Sequence, residues 1–374
     1  MTRTGILFRF LRLGCVAFGG PAAHLALFRD EFVVRDRLLD DAAYARLVAV
    51  AQALPGPSSS QVGFALGWRL GGWPGALAAW VGFTLPAALV MGVAGAGLAT
   101  ASLPAGAVAG ALAAAAAAIA WAVWGMRGLC AGPGPLAIAG AAAGASLLLP
   151  WGALLAVLGA LVVGALATPR IPAGPAPDRW ILVVPLAVAA GVAALVLAAG
   201  RWPDPVLATT AASAQAGALV VGGGHVVLPW LQEGLAGTLP PERLLAGYAL
   251  VQALPGPLFT LATWAGAATG GAVGALAATL AVFVPGLVLM AAGQGLGPWL
   301  AGGRPAGALA AAGAAVTGIL AATLATTVVE GWSAAPWTLF LAAAAVIGFR
   351  CNIPVWIVIP CTVGIACIIP LLGG

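Results

Sequence analysis

The chain has 374 residues, 62% apolar and 7% charged, with 15 arginines, no lysine, 10 acidic residues and a net charge of +5. A soluble protein carries charge on about a quarter of its residues, so a fully aqueous surface is excluded and much of the surface must face lipid. The small, scattered positive charge points to membrane topology and away from nucleic acid as a partner.

In chain order, no Asp, Glu, Lys or Arg lies between Arg69 and Arg127, between Arg127 and Arg170, or between Arg243 and Arg304. A helix crosses the hydrocarbon in about 20 residues, so each gap holds two or more spans. Backbone groups in lipid must bond internally, as helices or closed barrels. The Ala/Leu/Val/Gly runs lack the alternation of barrel strands, so the expected fold is an all-α polytopic membrane protein. Apolar segments fall near 5–27, 42–66, 72–98, 105–126, 134–149, 151–167, 180–199, 206–230, 242–265, 271–293, 305–329, 335–349 and 353–372. No cleavable signal peptide is expected, because Arg9 and Arg12 interrupt the first run. Cys15, Cys130, Cys351, Cys361 and Cys367 have no metal-binding spacing and read as buried free thiols. No metal or cofactor is expected.

The sequence repeats itself. Gln52-Ala53-Leu54-Pro55-Gly56-Pro57 recurs as Gln252-Ala253-Leu254-Pro255-Gly256-Pro257. Upstream, Gly19-Gly20-Pro21 corresponds to Gly222-Gly223-Gly224, and downstream Gly75–Ala79 corresponds to Gly274–Ala278. A Phe-to-Pro element then follows, at Phe83–Pro86 and Phe283–Pro285. Residues 1–167 and 206–374 form the two expected halves, and 168–205 a Pro-rich linker with one connecting helix. Six segments, one linker segment and six more give an odd offset, so the halves are expected to be inverted repeats. The positive-inside rule favours a cytoplasmic N-terminus, with Arg29, Arg35, Arg37 and Arg46 as an exception. Re-entrant hairpins turning at Gly-Gly and Pro-Gly-Pro remove that exception. Full but broken spans are the alternative, and both remain open at this level.

Pro-Gly-Pro inside an apolar run interrupts a helix, since proline lacks an amide hydrogen and glycine loosens the backbone. A helix restarting after Pro57 presents free amides and its positive dipole end. Ser58, Ser59, Ser60 and Gln61 add donors there, which suits an oxyanion. The second-half restart, Leu258-Phe259-Thr260, is plainer, with Thr260 its polar member. A structural kink capped by serine is the competing reading. Gln52 and Gln252 precede the breaks, and serve either the solute or carbonyls freed by the prolines. The only histidines, His24 and His225, lie beside the Gly-Gly elements, offset by two positions. They read as packing residues, oxyanion donors or proton carriers. Asp30, Glu31 and Glu233 read as ion-coupling acids or as interfacial loop charges, and Arg12 and Arg69 as pathway cations or topology anchors.

These motifs resemble the chromate ion transporter family, whose long-chain members have two homologous halves of opposite orientation. The matching residues are Phe18–His24, Ala51–Gln61 and Gly71–Ala76, with Gly222–His225 and Gln252–Pro257 in the second half. The resemblance implies proton-motive-force-driven export of chromate, with sulfate as an analogue, across a bacterial inner membrane, conferring chromate resistance. It implies a substrate site at Gly19, Gly20, Pro21, His24, Gln52, Pro55, Gly56, Pro57, Ser58, Ser59, Ser60 and Gln61. Its second-half members are Gly222, Gly223, Gly224, His225, Gln252, Pro255, Gly256 and Pro257. The family's Asn-Ser-Thr is Ser58-Ser59-Ser60 here, its second Phe is Val221, and no lysine remains. Protons and a homodimeric partner are the further expectations. Transport of another anion, or an anion channel, is the alternative. No GxxxxGK[ST] or HExxH is present, so neither ATP hydrolysis nor membrane-embedded enzyme chemistry is expected.

Overall fold

The computed structural model describes residues 2–99, 104–149, 152–169, 180–220, 224–293 and 303–372. Among these residues there are fifteen α-helices and no strand. The first half holds α1 (Arg3–Val16), α2 (Gly20–Arg29), α3 (Asp41–Ala53), α4 (Ser58–Ala99), α5 (Ala105–Met126), α6 (Pro133–Leu148) and α7 (Gly152–Ala167). Next comes α8 (Trp180–Arg201). The second half holds α9 (Pro205–Leu219), α10 (Val227–Gly234), α11 (Pro241–Ala253), α12 (Leu261–Gly293), α13 (Gly303–Ala334), α14 (Thr338–Arg350) and α15 (Val355–Leu372). Five described helices are long and apolar enough to cross a membrane, so the chain is a multi-pass membrane protein.

The apolar segments of the sequence map onto these helices once four of them are divided. Segment 5–27 is α1 and α2, separated by Ala17-Phe18-Gly19. Segment 42–66 is α3 and the start of α4, separated by Leu54–Pro57. Segments 206–230 and 242–265 divide in the same way.

Helix α4 is not one straight rod. Gly71 and Gly72 leave helical geometry (φ −158°, ψ 25°; φ 63°, ψ −155°), and Gly270 and Gly271 in α12 do so almost identically (φ −151°, ψ 23°; φ 59°, ψ −142°). The positive φ at Gly72 and Gly271 is left-handed backbone that glycine adopts without Cβ strain. Each helix therefore folds back on itself. Gly67 meets Gly75, and Gly266 meets Gly274, so closely that a Cβ would overlap the facing carbonyl. Thr263 and Thr279 hydrogen-bond at 2.7 Å, although 16 residues of straight helix would separate them by about 24 Å. The short leg of α4 runs from Ser58 to the turn. The long leg, residues 73–99, is about 40 Å long at 1.5 Å per residue.

Helices α1 and α2 make a hairpin. Arg9 on α1 donates to Glu31 at 2.9 Å and also pairs with Asp36, just beyond α2. Arg12 and Arg35 each approach Glu31 at 3.5 Å, and Phe10 packs on Phe28 and Phe32. Glu31 is thus a buried latch that clamps the base of the hairpin. The tip is Gly19-Gly20. With little hydrophobic drive between helices in lipid, small residues and dispersion carry this packing. Gly14 of α1 sits on the Phe83 carbonyl of α4, and its counterpart Gly217 of α9 sits on Val282 of α12.

The halves are interleaved. The long helices α4 and α12 pack together, α5 packs against α14 and α15, and α13 packs against α6 and α7. Each half thus supplies a wall for the other. The cysteines are free but not buried: Cys15, Cys351, Cys361 and Cys367 are exposed, and Cys130 is half-buried. The close-packed interior is taken by smaller Ala and Gly, which leaves the thiols on outward helix faces.

Candidate functional site

Polar side chains cap three helix starts: Thr2 accepts from Gly5 N at α1, Asp40 from Ala43 N at α3, and Asp204 from Leu207 N at α9. The starts of α2 and α4 have no such cap. Gly19 precedes α2 without a side-chain bond, and Pro57 precedes α4 with no side-chain oxygen to offer. The first α4 amide with a backbone acceptor is that of Gln61, bonded to the Pro57 carbonyl at 2.9 Å. The amides of Ser58, Ser59 and Ser60 have no acceptor among the described residues. Free first-turn amides carry the positive end of the helix dipole.

These uncapped ends converge on a cavity of about 640 Å³ between the halves. The hairpin tip lines it with Gly19, Gly20 and Pro21; the two breaks line it with Gly56, Ser58, Gly256 and Leu258. Gln52, Gln252, His225 and Ser58 supply polar side chains to it. Apolar walls come from α5 (Ala118, Trp121, Ala122), α13 (Gly313) and α14 (Phe349). No Asp, Glu or Arg is among its described lining residues.

Two reciprocal hydrogen bonds hold the breaks. Gly56 N donates to the Val220 carbonyl at 2.8 Å, and Gly256 N donates to the Ala17 carbonyl at 2.9 Å. Each acceptor lies just before the Gly-Gly element of the opposite half. The amides of Gly56 and Gly256 are therefore structural and not available to a solute. Backbone donation into the cavity falls instead to the start of α4.

The histidines do different work. His24 is 1% exposed and does not line the cavity. Its Nε2 donates to the Ala17 carbonyl at 3.0 Å, since a carbonyl can only accept, so Nδ1 accepts from Ser59 Oγ at 3.1 Å. His24 thereby ties the start of α4 to the carbonyl that holds Gly256. His225 lines the cavity, and its Nδ1 lies 2.9 Å from Tyr248 Oη and 3.0 Å from Gln252 Nε2. The Gln252 amide nitrogen can only donate, which makes Nδ1 the acceptor and places the ring hydrogen on Nε2. No partner for Nε2 is found among the described residues, so that hydrogen remains for a ligand.

The remaining expected residues divide between solute and scaffold. Gln52 is exposed to the cavity with no bond among the described residues, whereas Gln252 is engaged by His225. Gln61 is fully buried outside the lining. Its Nε2 donates to Pro55 O and to Gly286 O of the other half, both at 2.9 Å. Ser60 Oγ is buried without a partner. Thr260 donates to the Pro257 carbonyl through its hydroxyl at 2.9 Å and its amide at 3.0 Å. Pro55, Pro57, Pro255 and Pro257 shape the breaks, and Gly224 packs against Leu258. Gly222 and Gly223 lie outside the described residues. Sequence reasoning missed Tyr248, which stands four residues before Gln252 and so shares its helix face. It also missed the α5 wall, whose alanine-rich run carries no chemical signal.

A family profile described as Chromate transporter matches residues 4–167 and 207–368. The chain belongs to the chromate transporter family. It is 30% identical over 303 residues to a chromate transport protein of Pseudomonas aeruginosa, covering 74% of this chain and 69% of that one. It is 26% identical over 302 residues to a probable chromate transport protein of Synechococcus elongatus, covering 74% and 72%. An 82-residue stretch, 22% of this chain and 20% of the relative, is 37% identical to a chromate transport protein of Cupriavidus metallidurans. No solved structure matches significantly. The family is one of transporters, not enzymes, and its substrate is an oxyanion.

Proposed function

We propose that the chain exports chromate across a bacterial inner membrane, driven by the proton motive force, through the cavity between its halves. One observation carries this reading: the cavity is lined by hydrogen-bond donors and uncapped helix starts, with no acid among its described residues. A tetrahedral dianion offers only acceptors, so the free amides of Ser58, Ser59 and Ser60, the Gln52 amide and the His225 Nε2 hydrogen complement it.

The halves are inverted repeats in this reading, with hairpins α1–α2 and α3–α4 re-entering from the cytoplasm. Four contacts support it. The short leg of α4 ends beside Ile6, near the base of α1. The long leg returns past the cavity at Ala87, which touches Gly256, and Gly95 beyond it lies on Trp264 of the short leg of α12. Met290, just past Gly286, packs in the first-half core. These contacts support short legs that leave the cavity in opposite directions. Eight arginines, from Arg3 to Arg69, lie in the first 69 residues, which supports a cytoplasmic α1 base.

The test is chromate uptake into everted vesicles with an imposed pH gradient. Uptake is expected to be competed by sulfate, abolished by an uncoupler, and reduced about tenfold or more by Gln52→Ala combined with Gln252→Ala. Uptake that survives the uncoupler overturns proton coupling, and uptake indifferent to the double substitution overturns the site. The histidines should separate kinetically. His225→Ala removes a charge-assisted donor and is expected to raise the apparent KM about tenfold. His24→Ala is expected to lower thermal stability and maximal rate with KM unchanged. Matching KM effects in both variants would contradict the division of roles.

A further inference from the structure

Resting on the chromate-export reading, we infer that Arg127 and Arg350, one from each half, form an anion-capture pair at the cytoplasmic mouth of the cavity. The cavity grades from buried to open along α5. Ala118 and Ala122 are buried, whereas Gly125 and Leu129, which also line it, are exposed. The opening is therefore at the C-terminal end of α5. That end lies on the α1 side, because the long leg of α4 carries the chain across and α5 brings it back.

Arg127 follows directly on this stretch, between the lining residues Met126 and Leu129. Its Nη1 donates to the Trp124 carbonyl at 2.7 Å, and its guanidinium carbon stands 4.3 Å from the Trp124 ring centre. Arg350 ends α14, between the lining residues Phe349 and Val355, and its guanidinium carbon is 5.7 Å from the same ring. Backbone bonds from Asn352 N to Phe349 O and from Ile353 N to Gly348 O close the end of α14 and fix that position. Both side chains are exposed, and neither has an ion pair among the described residues. The contrast with the α1–α2 hairpin and its base is sharp, where Arg9, Arg12 and Arg35 are spent on Glu31, Asp36 and Asp30.

Trp124 thus holds two unneutralised guanidiniums at the entrance of a cavity whose described lining carries no charge. A cation pair in that place concentrates a dianion before it loses water to the neutral donors inside. The guanidinium fork suits an oxyanion. The pair acts on capture and not on passage, which gives it a distinct kinetic signature. A role as topology anchors alone would alter insertion and leave capture untouched.

The experiment measures chromate uptake into everted vesicles, which expose the cytoplasmic face, for the full-length protein and for Arg127→Gln combined with Arg350→Gln. It is run at low and high potassium chloride, with the amount of inserted protein measured in parallel. The double variant is expected to raise the apparent KM about tenfold at low salt with maximal rate per inserted molecule within twofold. The wild-type KM should climb with salt while that of the variant stays flat. Arg127→Lys combined with Arg350→Lys should restore most of the capture and its salt dependence. Unchanged KM and salt dependence in the glutamine variant overturns the inference, as does a loss confined to maximal rate or to insertion. Failure of the wild-type protein to take up chromate overturns the export reading instead.

Discussion

Alanine at Gly56 is expected to abolish chromate flux and to destabilise the protein by about 2–4 kcal/mol. Gly56 has φ +117° and Gly256 has φ +111°, backbone that side-chain-bearing residues rarely adopt. Strain of that kind costs about 1–3 kcal/mol by itself. A Cβ on Gly56 would also lie 2.7 Å from the Cα of Gly286, in the opposite half. Relief requires the halves to part, which would break the Gly56-to-Val220 hydrogen bond as well. Gly256→Ala suffers equal backbone strain, but its Cβ meets the Ala87 side chain, at 2.8 Å. Ala87→Gly is therefore expected to recover part of the stability lost in Gly256→Ala, removing the overlap and leaving the strain. Gly56→Ala has no such remedy, because position 286 is already glycine. Thermal unfolding in detergent and vesicle flux read out both effects. A Gly56→Ala protein that melts and transports like wild type, or no recovery from Ala87→Gly, would show that the tips do not pack this way.

How much of this was legible beforehand depended on whether a residue's task is local. Charge gaps announced the membrane, since too few charged side chains exist to face water. The repeated Gln-Ala-Leu-Pro-Gly-Pro announced two halves and two helix interruptions, since proline and glycine act on their own backbone. The Gly71-Gly72 fold-back falls at the boundary between segments 42–66 and 72–98, and that at Gly270-Gly271 between 242–265 and 271–293, because a change of apolar run is local as well. The distinction between His24 and His225 was out of reach. Both lie near Gly-Gly elements, yet one points at Ala17 and Ser59 and the other at Tyr248 and Gln252. Nothing in the spacing encodes which carbonyl or hydroxyl lies across the interface. The same holds for the Gly56 and Gly256 amides, which bond to carbonyls of the opposite half.

Gln61 carries the second large effect, and it tests that interface from the side chain. Its single amide nitrogen serves the Pro55 carbonyl of its own break and the Gly286 carbonyl of the other half. Gln61→Ala leaves the buried Pro55 carbonyl without a donor and takes from the Gly286 carbonyl its bond across the interface, at about 1–3 kcal/mol in all. Gln61→Met keeps most of the volume and is expected to lose nearly as much, which separates hydrogen bonding from packing. Gln61→Glu should be the worst of the three, because a carboxylate would then face two carbonyl oxygens in a dry site. Flux is expected to fall in the same order. The second half lacks this device: Thr260 bonds only the Pro257 carbonyl, three residues away. Thr260→Val keeps the shape and the Thr260 N bond to that carbonyl, so it should cost no more than about 1 kcal/mol. Equal losses from Gln61→Met and Thr260→Val would contradict a stitch borne by one half. Unequal losses mean that the near-identical breaks, each tied across the interface by its glycine amide, differ in their side chains: only the first-half break adds a side-chain stitch to the other half.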